Sequence, residues 1–313
     1  MAARILKGEK VIRVVYMGTP DYARVILERL FIESDIDVEL VLTQPDRPVG
    51  RKKIMTPPPV KELAYDKGIE VLQPLTLKES AIVAAIKEKN PDFIVVAAYG
   101  QLLPKEVLDI APCINLHASI LPKYRGASPI QQALLNGDEY SGVTAMLMEE
   151  GLDTGAILGF RFIKSSEAQR LDLMTQKLSI MAAELTVRVL KRFDKLQPIE
   201  QLGAIASKCK KIKREDGLVD LSSAKSVAQK GAAFFGWPGL FLENGMKLHG
   251  VTLVSENEEY REGEIVAIED EAVILGCAKG SLRIEQLQAK SKAKMSAKAY
   301  LAGKRLKVGD TLL

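Results

Sequence analysis

The chain has 313 residues, 47% hydrophobic and 27% charged, which is enough for two compact domains and excludes a largely disordered or fibrous protein. No apolar run approaches the ~18 residues of a membrane span, and the first ten residues lack the apolar core of a secretory signal, so a soluble cytoplasmic protein is expected. The net charge of +4 is unevenly placed: residues 1–200 carry equal numbers of basic and acidic side chains, and the whole excess lies in 201–313, which marks the last third for a polyanionic partner.

In chain order, Val11 to Gly18 is a β-branched apolar run that stops at Gly18-Thr19-Pro20, where a turn and a proline announce a helix. Ala23, Ile26, Leu27, Leu30 and Phe31 then recur with helical period. Further strands are predicted over Asp37 to Thr43, Glu70 to Gln73, Phe93 to Tyr99, Cys113 to Ala118 and Val143 to Met148, with helical stretches between most of them. This alternation predicts a doubly wound α/β domain with a mostly parallel sheet over residues 1–193. The stripe Leu171, Met174, Leu178, Met181, Leu185 and Val189 predicts a long closing helix. Residues 194–213 read as a linker, and 214–313 as a second domain. There a short helix from Ala224 to Phe235 precedes strand-like pieces punctuated by glycine, a spacing that suggests a small β-barrel.

Three features carry candidate chemistry. The segment Asn115-Leu116-His117 lies at the carboxyl end of a predicted strand, where open α/β sheets bind ligands, and alternation sends Asn115 and His117 to one side. The loop Gly151-Leu152-Asp153-Thr154-Gly155 also follows a strand; Asp153 alone would be an ordinary turn residue, but beside an amide and an imidazole it completes an acid/base set with an oxyanion donor. That set suits acyl transfer or hydrolysis without a covalent nucleophile, because Ser119 lacks the GxSxG elbow. Basic side chains form the third feature: Arg47, Arg51, Lys52 and Lys53 crowd one Gly/Pro-containing loop, and Lys208, Lys210, Lys211, Lys213 and Arg214 fall within seven residues. One such run is ordinarily a solvated surface, but their combination with a basic domain favours nucleic acid. Cys113, Cys209 and Cys277 are far apart and form no CxxC pair, and with only two histidines no zinc site is expected. His249 and the lone Trp237 are read as structural, Trp237 as a core residue closing the barrel.

The run from Ile114 to Pro122, joined to Gly151-Leu152-Asp153-Thr154-Gly155, resembles the folate-dependent formyltransferases. The resemblance extends through Met17 to Asp21, Thr43 to Pro48, Ala97 to Gly100, Arg125 to Gln131, Gly142 to Thr144, Lys294 to Ala297 and Gly309-Asp310. Its motif content is similar to that of the members acting on aminoacyl-tRNA. The resemblance implies 10-formyltetrahydrofolate as formyl donor and co-substrate, with no metal, and as acceptor the α-amino group of methionine on initiator tRNA. Carried over by motif, Asn115, His117 and Asp153 match the catalytic set, and Ser119, Ile120, Leu121 and Pro122 match the folate-binding segment. The implied architecture is a formyltransferase domain, a linker and a C-terminal barrel similar to an OB-fold that binds tRNA, in a monomeric protein. Departures from the family pattern are Ala118 for a usual Gly, Ile120 for a usual Leu, Leu221 for a usual Trp, and the absence of the usual Asn-Pro before Trp237.

The same Asn-His-Asp set would serve a formyltransferase acting on a nucleotide-linked amino sugar, or a deformylating hydrolase. Neither needs the basic loop from Arg47 to Lys53 together with a basic second domain. A non-catalytic RNA-binding protein on an enzyme fold would not need Asn115, His117 and Asp153 intact.

Overall fold

The computed structural model describes residues 11–50 and 52–312, so Arg51 of the basic loop lies outside the described residues. The elements run β1 (Ile12–Gly18), α1 (Asp21–Leu30), β2 (Ile36–Leu42), β3 (Arg47–Val49), β4 (Ile54–Thr56), α2 (Pro59–Asp66), β5 (Val71–Leu72), α3 (Ser80–Glu88) and β6 (Phe93–Ala97). Next come α4 (Lys105–Leu108), β7 (Cys113–His117), β8 (Arg125–Gly126), α5 (Pro129–Asn136), β9 (Tyr140–Leu147), β10 (Ile157–Lys164), α6 (Leu171–Arg192) and β11 (Lys208–Cys209).

Seven strands form one sheet in the order β10-β9-β7-β6-β1-β2-β5. The five from β7 to β5 pair in parallel, and β9 joins β7 antiparallel. The chain winds outward from β1 through β2 to β5, then returns to β6 on the other side of β1. That reversal opens a crevice at the carboxyl ends of the central strands. Val15, Met17, Leu40, Leu42, Ile94 and Val96 from β1, β2 and β6 are buried together, as expected for strands covered on both faces. Gly18 lets α1 start close against β1, since a Cβ there would lie 2.7 Å from that of Ala23. Ala23, Ile26, Leu27 and Leu30 form the buried face of α1.

Two elements of this region differ from the sequence-based expectation. Strand β10 is an addition to it, because Phe160 and Phe162 are apolar yet half or more exposed on this edge strand, which blurs its alternation. The basic loop is not plain coil: Arg47 pairs with Thr56 and Val49 with Ile54, making a short antiparallel hairpin of β3 and β4.

The chain divides into two compact units. One comprises the described residues up to Pro129 with 141–163 and 175–208; the other comprises 130–140, 164–174 and the chain from Cys209 on. In the second unit α7 (Ala224–Ala233) precedes β12 (Leu240–Phe241), β13 (Lys247–Ser255), β14 (Ile265–Ile268), β15 (Val273–Gly276), β16 (Ser281–Gln288), β17 (Met295–Ser296) and α8 (Ala297–Lys304). The strands pair antiparallel in the order β12-β13-β16-β15-β14, with β17 also on β16. Leu248, Ile265, Val273, Leu275, Leu282, Ile284 and Leu287 are its buried centre. Ser223 and Ser296 cap α7 and α8 by accepting the N–H groups of Ser226 and Ala299. Trp237 is not a core residue: it is 58% exposed, because the turn through Gly236 and Gly239, both at positive φ, presents it to solvent.

Candidate active site

Strand β7 carries Asn115 and His117 on one side of the sheet, opposite Met146 and Thr144 of β9. Asp153 reaches them from the turn between β9 and β10. The turn is tight because Gly155 backs onto β9, where a Cβ would come within 1.9 Å of the Leu147 carbonyl. Asp153 itself adopts a left-handed conformation, φ +53°, which Asp tolerates better than most L residues.

The three side chains converge. Asn115 Nδ2 donates to Asp153 Oδ1 at 3.3 Å, and the Gly126 N–H donates to Asp153 Oδ2 at 2.8 Å. His117 Nδ1 lies 3.7 Å from Asp153 Oδ2, close enough for charge attraction but beyond a hydrogen bond. The other imidazole nitrogen, Nε2, is 2.8 Å from the Tyr124 carbonyl oxygen. A carbonyl only accepts, so Nε2 carries a hydrogen and Nδ1 is left as the atom able to gain or lose a proton. His117 and Asp153 are both buried, at 6% and 9% exposure, so the imidazole and the carboxylate interact in a medium of low polarity.

The loop after β7 is fixed from within. Ser119 Oγ donates to the Lys123 carbonyl at 2.6 Å, Thr144 Oγ1 donates to the Ser119 carbonyl at 2.7 Å, and the Leu121 N–H donates to Thr144 Oγ1 at 3.0 Å. Ser119 and Leu121 are therefore buried, whereas Ile120 and Pro122 are half-buried. The last bond of this loop, Leu121–Pro122, is cis.

The described basic residues of both runs are at the surface. Arg47 is exposed on β3, and Lys52 and Lys53 are exposed in the hairpin turn. Asp46 anchors the hairpin base: Lys61 Nζ is 2.8 Å from both carboxylate oxygens, and Gln73 Nε2 donates at 2.8 Å. The hydrogen bonds from Lys61 and Gln73 hold the Asp46 carboxyl below its ordinary range. Lys208, Lys210, Lys211, Lys213 and Arg214 are all exposed. Among the described residues no three His, Cys, Asp or Glu side chains cluster as a metal site, and no helix is long and apolar enough to cross a membrane.

One residue of the site is silent in the sequence. Gln201, within the stretch read as a linker, donates from Nε2 to the carbonyls of Asp153 at 3.0 Å and Gly155 at 2.8 Å. Its Oε1 accepts from Arg125 Nε at 3.0 Å and Nη2 at 2.7 Å. A lone glutamine outside any periodic element gives no signal of such a role.

A mixed, doubly wound sheet with amide, imidazole and carboxylate gathered at a strand's carboxyl end is an arrangement able to serve acyl transfer. The chain belongs to the formyl transferase family, whose N-terminal domain matches residues 10–190 and whose C-terminal domain matches 211–305. It is 53% identical to the methionyl-tRNA formyltransferase of Sulfurovum sp. (strain NBC37-1), over 96% of this chain and 99% of that one. It is 51% identical to the methionyl-tRNA formyltransferase of Wolinella succinogenes, over 96% of this chain and 100% of that one. Among solved structures, HypX from Aquifex aeolicus in complex with tetrahydrofolic acid shares the fold, with a TM-score of 0.62 and 20% identity over 93% of this chain. This chain spans about half (47%) of HypX.

Proposed function

We propose that the protein transfers the formyl group of 10-formyltetrahydrofolate to the α-amino group of methionine on initiator methionyl-tRNA, in translation initiation. The observation that carries this reading is the convergence of Asn115, His117 and Asp153 at the end of β7 in a chain half identical to methionyl-tRNA formyltransferases along nearly its whole length.

The chemistry follows from where charge develops. The amine lone pair attacks the formyl carbon, and the carbonyl electrons move onto oxygen. One hydrogen of the Asn115 amide is committed to Asp153, and the second is available to that oxyanion. His117 Nδ1 takes the proton that the attacking nitrogen sheds, because Nε2 is already occupied by the Tyr124 carbonyl. The resulting imidazolium faces Asp153 Oδ2, and its positive charge shortens that contact. Collapse of the adduct breaks the bond between carbon and folate nitrogen. That nitrogen takes the proton from Nδ1 and leaves as tetrahydrofolate.

The folate co-substrate is assigned to the loop Ser119 to Pro122. With Ser119 and Leu121 turned inward, the backbone of the loop and the half-buried Ile120 and Pro122 are the groups available to it. The exposed cations Arg47, Lys52 and Lys53, with Arg51, and the run Lys208 to Arg214 are assigned to tRNA phosphates. The antiparallel strands of the second unit are read as a barrel similar to an OB-fold, the protein as a monomer, and its place as the cytoplasm.

The deciding assay is formyl transfer from 10-formyltetrahydrofolate to methionyl-tRNA, set against free methionine, nucleotide-linked amino sugars and water. Transfer confined to methionyl-tRNA is expected. Efficient transfer to an amino sugar, or release of formate alone, would overturn the assignment.

A further inference from the structure

We infer that Gln201 is a positioning residue for the transfer reaction, holding the Asp153 carboxylate in its working geometry through the backbone carbonyls of Asp153 itself and of Gly155 just after it. The inference rests on the role proposed for Asp153.

Three observations lead there. First, the carboxamide has no spare bonding capacity: its two hydrogens go to the Asp153 and Gly155 carbonyls, and its oxygen receives two guanidinium hydrogens of Arg125. Second, the partners are not scattered. Asp153 and Gly155 flank the bend that turns the carboxylate inward, and Arg125 immediately precedes Gly126, whose N–H binds Asp153 Oδ2. Gln201 thus ties together the segment that carries the carboxylate and the segment that holds it. Third, Asp153 sits at φ +53°, in a left-handed turn whose carbonyls at 153 and 155 both bond Gln201. A glutamine that merely fastened the linker could have bonded any exposed carbonyl along β10, where Ile199 already pairs with Ile157 by two backbone hydrogen bonds. The neighbouring Ser207 braces the same strap, accepting the Tyr124 N–H at its Oγ and the Arg125 N–H at its carbonyl. Tyr124 in turn supplies the carbonyl that fixes the imidazole of His117.

The test measures single-turnover formyl transfer with saturating folate and methionyl-tRNA, and KM for each, in the full-length protein. Gln201→Ala and the chain-length-preserving Gln201→Met are expected to lower the transfer rate by about 10- to 100-fold, the scale seen when outer partners of a reactive group are lost, while both KM values move far less. Gln201→Glu is expected to be at least as impaired, since it keeps an acceptor for Arg125 but sets a carboxylate oxygen against two carbonyls. The decisive arm is the Asp153→Asn background. There Gln201→Ala should add almost nothing, because its effect passes through the carboxylate. A full rate in both Gln201→Ala and Gln201→Met, or the same fold-loss with and without Asp153, would overturn the inference. A full rate in Asp153→Asn itself would instead overturn the role proposed for Asp153.

Discussion

His117 Nδ1 and Asp153 Oδ2 stand 3.7 Å apart, and the same oxygen already accepts the Gly126 N–H at 2.8 Å. The carboxylate is therefore anchored before the imidazole acquires charge. Asp153→Asn and His117→Ala are each expected to lower single-turnover transfer by about 10²-fold or more. Asn115→Ala should lose roughly 3 kcal/mol of transition-state stabilisation if its amide is the main oxyanion donor. Folate affinity, measured by equilibrium binding, should fall far less in all three. A variant whose loss lies wholly in folate affinity would mark that residue as a binding group.

Glycine substitutions separate the tight places of the sheet from the open ones. Gly155→Ala would drive a methyl against the Leu147 carbonyl, and Gly142→Ala would place one 2.4 Å from the Arg161 carbonyl. Both are expected to cost about 1–3 kcal/mol in denaturant unfolding, and Gly155→Ala should also slow transfer because it displaces the turn of Asp153. Gly159→Ala meets nothing closer than Leu185 Cδ1 at 3.5 Å, so its stability should change little or rise slightly.

The hairpin of β3 and β4 depends on Asp46. A carboxyl held below its ordinary range contributes stability that is present above the unfolded value, about 4, and is lost as pH falls through the lower native value. The anchor is therefore intact at neutral pH. Asp46→Asn should loosen it there, and trypsin should cut at the exposed Lys52 and Lys53 faster than in the parent protein; Arg47, followed by Pro48, is not a trypsin site. Equal cleavage rates would show that Lys61 and Gln73 do not secure the hairpin.

Replacing Arg47, Lys52 and Lys53 by alanine should reduce both tRNA binding and turnover. Replacing Lys208, Lys210, Lys211, Lys213 and Arg214 should chiefly weaken binding. In each case the fall of affinity with rising salt should become shallower, since fewer counterions are released when fewer phosphates are neutralised. Binding measured at two salt concentrations checks this, and an unchanged salt dependence would return the altered cluster to ordinary surface.

Burial pushes the thiols of Cys113 and Cys277 up to about 12, so both are fully protonated at pH 8. Neither should react with a thiol reagent until the protein is unfolded. Native and denatured thiol counts test this directly.

Sequence periodicity locates the sheet well where strands are buried on both faces. β1, β6 and β7 begin and end within about two residues of their expected limits, because runs such as Ile12–Gly18 and Phe93–Ala97 have no competing helical pattern. It fails where pairing rather than composition decides. Arg47–Val49 and Ile54–Thr56 are too short and too exposed to show alternation, and the exposed phenylalanines of β10 imitate a buried run. Helix α8 leaves no clear trace because Ala297–Lys304 is a weakly amphipathic stretch dominated by small and basic side chains. The convergence of the candidate site is legible through Asn115 and His117, whose spacing encodes a common face, and through the glycines around Asp153. Gln201 is not, since its role is created by chain folding that brings residues 48 and 76 positions apart together.

Residues 199–207 are held within the first unit by bonds to Ile157, Pro122, Arg125 and Asp153. This bears on how the protein can be recombined with its relatives. A chimaera that takes its C-terminal part from another family member and is joined after α6 would import a foreign residue 201 and a foreign residue 207 beneath the turn that carries its own Asp153. A junction at Lys208 and Cys209, the last point at which the chain passes from the first unit to the second, keeps both native braces. Exchange of acceptor preference between family members is therefore expected to preserve turnover only when the crossover lies beyond Ser207.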